Sequence, residues 1–97
     1  MLFALFCLDH PDKSDLRLAI RAQHIDYIDA SGGMVKIAGP LLSDDGETMI
    51  GTLLVLDVAN RAEAEAWIRS DPYNQAGLFK SIETRAWRRT FGTLDNR

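Results

Sequence analysis

Two stretches of this 97-residue chain are apolar on both faces of a predicted β-strand, and they limit what the chain can fold into. In the first, Leu2–Leu8, the two faces carry Leu2, Phe6 and Leu8 on one side and Phe3, Leu5 and Cys7 on the other. In the second, Thr48–Val58, they carry Leu53 and Val55 opposite Leu54 and Leu56. A sheet with one face in water alternates apolar with polar residues. Both faces of this sheet must therefore be covered.

Turn signals divide the rest of the chain into a regular order of elements. The predicted strands are Leu2–Leu8, Met34–Ala38, Thr48–Val58 and Lys80–Arg89, and the predicted helices are Ser14–Ala30 and Asn60–Ser70. Ser14 is the expected N-cap of the first helix, and Gly32-Gly33 ends it. The second strand is expected to end before Gly39-Pro40, and the tail from Thr90 is expected to be frayed.

The second helix has the clearest boundaries. Asn60 and Glu63 have the spacing of a capping box at its start. Pro72 requires the helix to stop by about Ser70, because helical geometry is disfavoured at the residue before a proline.

The order β-α-β-β-α-β predicts a ferredoxin-like α+β fold, with two helices on one face of a four-stranded antiparallel sheet and a single domain over residues 1–97. No element remains to cover the other face. Exposing its side chains would forgo about 1.5–3 kcal/mol each. We therefore predict an obligate homodimer formed by stacking the two sheets.

Composition excludes several classes of protein. The net charge of −3 argues against a nucleic-acid-binding protein, which needs a basic face. A local cluster, Arg85, Arg88 and Arg89, is either a solvated strand edge or an anion contact. The apolar run Met1–Leu8 is too short to span a bilayer and has no signal-peptide features, which predicts a cytoplasmic protein with no membrane partner.

Few residues of the chain are candidates for a catalytic, metal-binding or ligand-binding role. The lone Cys7 excludes an intrachain disulfide, and its apolar surroundings favour a packing role over a nucleophilic one. Metal-ligand spacing, a phosphate-binding glycine loop and a serine nucleophile motif are lacking. Trp67 and Trp87 are expected in the core or an interface rather than against a ligand.

His24 lies at the border of the first helix's apolar stripe, about 80° from its centre, beside a flank carrying Arg17 and Arg21. A histidine there is partly desolvated and reachable by a ligand, and the arginines favour its neutral form. The alternative is a packing histidine on the helix edge.

Asp71 precedes Pro72 and is expected to cap a short turn before Gly77. The functional alternative is a carboxylate that orients His24, and one carboxylate can fill both roles. The predicted helix lengths place His24 and Asp71 at positions that differ by about 7 Å along the axes of the two helices. This difference is comparable with the error of the predicted helix boundaries.

Several motifs together resemble the YciI-like (YCII-related) family over roughly residues 1–87. They are Arg21-Ala22-Gln23-His24, Ala38-Gly39-Pro40, Ala64 with Trp67, Ser70-Asp71-Pro72-Tyr73 and Ala76-Gly77. The resemblance implies a dimeric α/β barrel, similar in fold to muconolactone isomerase, with His24 and Asp71 as a catalytic pair. One branch of the family resembles a dehydrochlorinase of a chlorinated hydroxyquinol.

The resulting hypothesis is a small cytoplasmic enzyme in which His24 is the general acid/base and Asp71 holds its tautomer. Isomerisation, elimination or a lyase reaction on a small anionic or cyclic metabolite would suit this pair and require no cofactor. Arg21 and Gly39 would bind the substrate, and Pro40 and Tyr73 would shape the walls. The alternative is a non-catalytic dimeric module that binds a metabolite or accompanies a larger enzyme. A haem-binding relative has little support because a second suitably placed histidine is lacking.

Overall fold

The computed structural model describes residues 1–93 as a sheet with helices on one face. The elements are β1 (Leu2–Asp9), α1 (Ser14–Ala30), β2 (Val35–Leu42), β3 (Met49–Asp57), α2 (Arg61–Arg69), α3 (Pro72–Gln75) and β4 (Phe79–Trp87). The strand order is β2-β3-β1-β4, and every neighbouring pair is antiparallel. The ferredoxin-like prediction is confirmed, with the one-turn helix α3 added after α2.

The starts of α1 and α2 test the helix caps that were predicted from local sequence signals. The Asn60 side chain accepts a hydrogen bond from Glu63 N at 3.0 Å, which confirms the predicted cap of α2, while the Glu63 carboxylate accepts from Ala59 N at 2.9 Å. The prediction that Ser14 caps α1 is wrong. The cap position is Lys13, which makes no side-chain cap bond, and it follows Asp12 in the left-handed region at φ 61°.

Strand β2 is longer than predicted, because Gly39-Pro40 lies inside it rather than after it. Pro40 pairs with Thr52 of β3, and within residues 1–93 β2 is an edge strand whose other side pairs with no strand. A proline that cannot donate to a ladder is tolerated at such an edge. Strand β4 ends at Trp87, two residues before the predicted Arg89. Thr90–Thr93 belong to no helix or strand, and the rest of the predicted frayed tail lies outside the described residues.

The core lies between the sheet and its helices. Its buried members include Phe3, Leu5, Cys7, Leu54, Leu56, Ala64, Trp67, Ile68 and Leu78. Cys7 is fully buried in it, as the packing role predicts. Trp67 donates from its indole nitrogen to the Ser31 hydroxyl at 2.7 Å, which satisfies its polar atom within the core.

The opposite face of the sheet is apolar and partly exposed. Phe6 and Leu8 of β1 are 40% and 42% exposed, and Trp87 of β4 is 41% exposed. Beside them, Arg85 forms an exposed ion pair with Glu83 at 2.9 Å, which fits the solvated-edge interpretation of that arginine. Among residues 1–93, no helix is long and apolar enough to cross a membrane.

Candidate functional site

A cleft of about 520 Å³ lies between α1 and the edge strand β2. Its walls come mainly from α1 and β2, with contributions from β3 and α3. Five of the predicted site residues line it, namely Arg21, His24, Gly39, Pro40 and Tyr73. The sixth, Asp71, lies behind His24 and bonds to it. Stretches far apart in the sequence therefore meet at one place.

His24 and Asp71 form a buried pair. The Nδ1 atom of His24 lies 3.0 Å and 2.9 Å from the two carboxylate oxygens of Asp71. Only 6% of His24 is exposed and none of Asp71, so His24 is more deeply buried than the predicted border position. An ionised carboxylate only accepts hydrogen bonds, so Nδ1 carries the proton. In the neutral imidazole the lone pair is then on Nε2.

Asp71 also has the structural role that its sequence context predicts. It is the N-cap of α3, where its carboxylate accepts from Tyr73 N at 2.9 Å, and Pro72 occupies the first turn. Its backbone is extended, with φ −60° and ψ 131°, because the chain has already left α2 at Arg69. One carboxylate thus caps a helix and holds the histidine.

Tyr73 fixes the plane of the His24 ring. The two rings stack with centroids 4.1 Å apart and planes 20° apart. Burial raises the pKa of the Tyr73 hydroxyl, while the positive charges of Arg17 and Arg21 oppose that rise. The hydroxyl is therefore protonated at neutral pH and available as a donor beside the cleft.

Arg17 is the residue whose position differs most from the sequence-based prediction. Helical periodicity places it on a flank of α1, yet it is 3% exposed and lines the cleft. Asp9 holds it through two bonds, Nε to Oδ2 at 2.8 Å and Nη2 to Oδ1 at 2.9 Å. Burial alone would lower the pKa of its guanidinium, but the hydrogen bond and charge of Asp9 outweigh this and raise the pKa above its ordinary value.

One sequence signal could have found Arg17. It stands seven residues before His24, and residues at that spacing share a helix face. Its partners are distant, since Asp9 ends β1 and Thr52 lies on β3, where its hydroxyl accepts from Nη2 at 2.8 Å. A helical wheel of α1 alone includes neither Asp9 nor Thr52, so it does not predict that Arg17 is buried.

Cys7 is not equipped to react. Burial raises its thiol pKa to about 12, with Asp71 contributing in the same direction. Since the thiolate is the reactive form, the packing interpretation is favoured. Within residues 1–93, no three His, Cys, Asp or Glu side chains are grouped so as to hold a metal ion.

Comparison with known proteins places this arrangement in a family. Protein YciI of Escherichia coli O6:H1 is 24% identical over 98 residues, covering 94% of this chain and all of the relative. An uncharacterised protein of Haemophilus influenzae is 26% identical with the same coverage.

A solved structure is similar over nearly the whole chain. It is 5-chloro-2-hydroxyhydroquinone dehydrochlorinase (TftG) from Burkholderia phenoliruptrix AC1100, in complex with 2,5-dihydroxybenzoquinone. It is 26% identical with a TM-score of 0.82, covering 91% of this chain and 94% of that one. This chain therefore has the fold of an enzyme. The family model of the YCII-related domain matches residues 1–88, and the chain belongs to the YCII-related domain family.

Proposed function

We propose that the protein is a small enzyme that uses His24 as a general acid/base on a small anionic or cyclic metabolite. The observation that carries the proposal is the bond from His24 Nδ1 to the fully buried Asp71 at 2.9 Å. That bond assigns the free lone pair to Nε2, the nitrogen left for a substrate in the cleft.

The proposed step is a proton transfer. Nε2 accepts a proton from a C–H or O–H group of the substrate, and the positive charge that develops on the ring is stabilised by Asp71. The stacked Tyr73 holds the ring plane, so the histidine does not have to reorient during the step. A positioned general base of this kind typically contributes about 10²–10⁴-fold to the rate.

The dehydrochlorinase relative supports elimination as the reaction class. In loss of HCl a base removes a proton, the electron pair forms a new double bond, and chloride leaves with its bonding pair. This step transfers no electrons to a cofactor, and a single acid/base residue can perform it. Isomerisation uses the same residue to remove and return a proton.

We also propose that the working form is a homodimer, built on the apolar sheet face that carries Phe6 and Leu8. Because these side chains are 40% and 42% exposed, burying what remains in solvent would recover about 0.6–1.2 kcal/mol for each. The cleft lies between α1 and β2, so stacking two sheets on the opposite face leaves it accessible.

The proposal is tested with His24→Asn and Asp71→Asn, with His10→Asn as the matched control. His10 is exposed and does not line the cleft. The substrates are a panel of small cyclic compounds that begins with 5-chloro-2-hydroxyhydroquinone and includes cyclic carboxylates. Turnover of the chlorinated compound is measured as release of chloride. Isomerisation is detected as exchange of substrate protons with D₂O, which is measured by NMR.

We expect His24→Asn to lower turnover by about 10²–10⁴-fold, Asp71→Asn to lower it in the same direction, and His10→Asn to have no effect. Ligand binding, measured with 2,5-dihydroxybenzoquinone, should persist in His24→Asn. Full turnover in the folded His24→Asn protein would refute the proposal. Binding without turnover or exchange on the whole panel would favour the non-catalytic module instead.

A further inference from the structure

Arg17 is a buried cation in the wall of the cleft that the acid/base step does not use. Only 3% of it is exposed, yet it lines the cleft. It donates two hydrogen bonds to Asp9 and one to Thr52, all from Nε and Nη2, and it makes a further side-chain hydrogen bond with Tyr73. A guanidinium has five N–H donors, so these four bonds leave one donor for another acceptor. Because buried donors are normally satisfied, an acceptor entering the cleft is the natural partner of that donor.

We propose that Arg17 anchors an anionic oxygen of the substrate through its guanidinium group, and that the substrate is a small organic anion with an apolar body. The inference rests on the proposed function, because it assigns the substrate class of that same cleft.

The position of Arg17 relative to His24 supports this role. The Arg17 guanidinium carbon lies 4.6 Å from the centroid of the Tyr73 ring, and the His24 ring stacks on the same tyrosine. One rigid side chain therefore spaces the anchor from the acid/base nitrogen. An anion held at Arg17 would present its neighbouring atoms toward His24.

The remaining walls select an organic anion over a simple inorganic one. The cleft is also lined by apolar side chains from α1, β2 and β3, namely Ile25, Ile28, Val35, Ile37 and Met49. Arg21 and Lys36 add positive charge, and among the described lining residues Asp29 is the one carboxylate. Asp9 and Asp71 lie behind, engaged by Arg17 and His24. An anion with a ring or short hydrocarbon body would contact both the cationic and the apolar lining residues.

The test compares a matched pair of probes, benzoate and benzamide, with inorganic phosphate as a third. Binding is followed by NMR titration of the protein with ¹⁵N-labelled arginine, which needs no turnover. We expect benzoate to bind the wild-type protein at least 10-fold more tightly than either other probe. Its binding should shift the Arg17 side-chain signals.

Two variants separate Arg17 from the exposed cation nearby. Arg17→Lys should weaken benzoate binding about 10–100-fold, the range for a hydrogen bond to a charged group, and leave benzamide unchanged. Arg21→Gln should weaken it less than about fivefold, because exposed ion pairs contribute little. His24→Asn should bind benzoate normally, so failure of the acid/base proposal is distinguishable from failure of this one.

A wild-type measurement covers the case in which Arg17→Lys does not fold. A buried contact is screened far less than an exposed one, so benzoate affinity should change less than about threefold between 0.05 and 0.5 M salt. Equal binding of benzoate and benzamide, no binding of benzoate, or phosphate binding as tightly as benzoate would overturn the proposal. So would a steep salt dependence, or a folded Arg17→Lys protein with wild-type affinity.

Discussion

The His24–Asp71 pair predicts a large coupling energy in a double-mutant cycle. The perturbations are His24→Gln, Asp71→Asn and the double variant, each measured by urea unfolding followed by circular dichroism. Both side chains are buried, and the bond between them is 2.9 Å long. A hydrogen bond to a charged group contributes about 1.5–3 kcal/mol, which is the coupling we expect.

The single variants should differ in a predictable way. Asp71→Asn keeps an oxygen that can accept from Tyr73 N, and asparagine caps helices about as well as aspartate, so mainly the His24 bond is lost. That loss corresponds to a fall in melting temperature on the order of 10 °C for a domain of this size. Asp71→Ala loses the cap as well, which costs a further ~1 kcal/mol.

Glu83 and Arg85 provide the matched control. Their ion pair has the same 2.9 Å length, but both side chains are more than 60% exposed. The cycle with Glu83→Gln and Arg85→Gln should give a coupling below about 1 kcal/mol. All proteins are compared at one protomer concentration, because dimerisation would make stability concentration-dependent. A His24–Asp71 coupling below about 0.5 kcal/mol, the usual limit of additivity, would refute the paired geometry.

Three further outcomes are expected. Cys7, with its thiol pKa near 12, should resist a thiol reagent at pH 8, where about one molecule in 10⁴ carries the thiolate. The same thiol should react fully in denaturant, and rapid labelling of the native protein would contradict its burial. Gly51→Ala should destabilise the fold by about 1–3 kcal/mol in urea unfolding, because the added Cβ would clash with the Cys7 carbonyl oxygen. Gly39→Ala is the control and should stay within about 0.5 kcal/mol, since its added Cβ would meet no atom of the described residues within 4 Å. Phe6→Arg should convert the proposed dimer to a monomer in sedimentation velocity, whereas a monomeric wild-type protein at micromolar concentration would contradict the proposed interface.

The fold could be predicted from sequence because its signals are local. Runs that are apolar on both strand faces located β1 and β3, and the spacing of Asn60 and Glu63 located the start of α2. The errors occurred where a distant partner decides the conformation. The Gly39-Pro40 pair was read as a strand end, yet β2 continues through it because an edge strand does not need the missing N–H.

The candidate site could be predicted only in part, for the same reason. Residue types and motifs were enough to select His24 and Asp71. However, treating Asp71 as a continuation of α2 left an offset of about 7 Å between the two residues along the helix axes. The structure removes this gap because α2 ends at Arg69 and Asp71 is extended. Arg17 was misplaced because its burial depends on Asp9 and Thr52, which belong to two different strands.

Helix α1 shows how such a site is compatible with a stable fold. It packs apolar side chains such as Leu16 and Ile20 against the core, and it also buries Arg17 and His24. Two apolar side chains of the same helix, Leu18 and Ile25, are 63% and 37% exposed. Burying polar groups is costly unless each finds a partner. In the part of the chain that the structure describes, no buried side-chain nitrogen or oxygen lacks one. The groups that stabilise α1 against the sheet and α3 are therefore the same groups that orient the cleft. Activity loss in any one variant is for this reason ambiguous by itself, and only binding and stability measured together can separate a positioning residue from one that contacts the substrate.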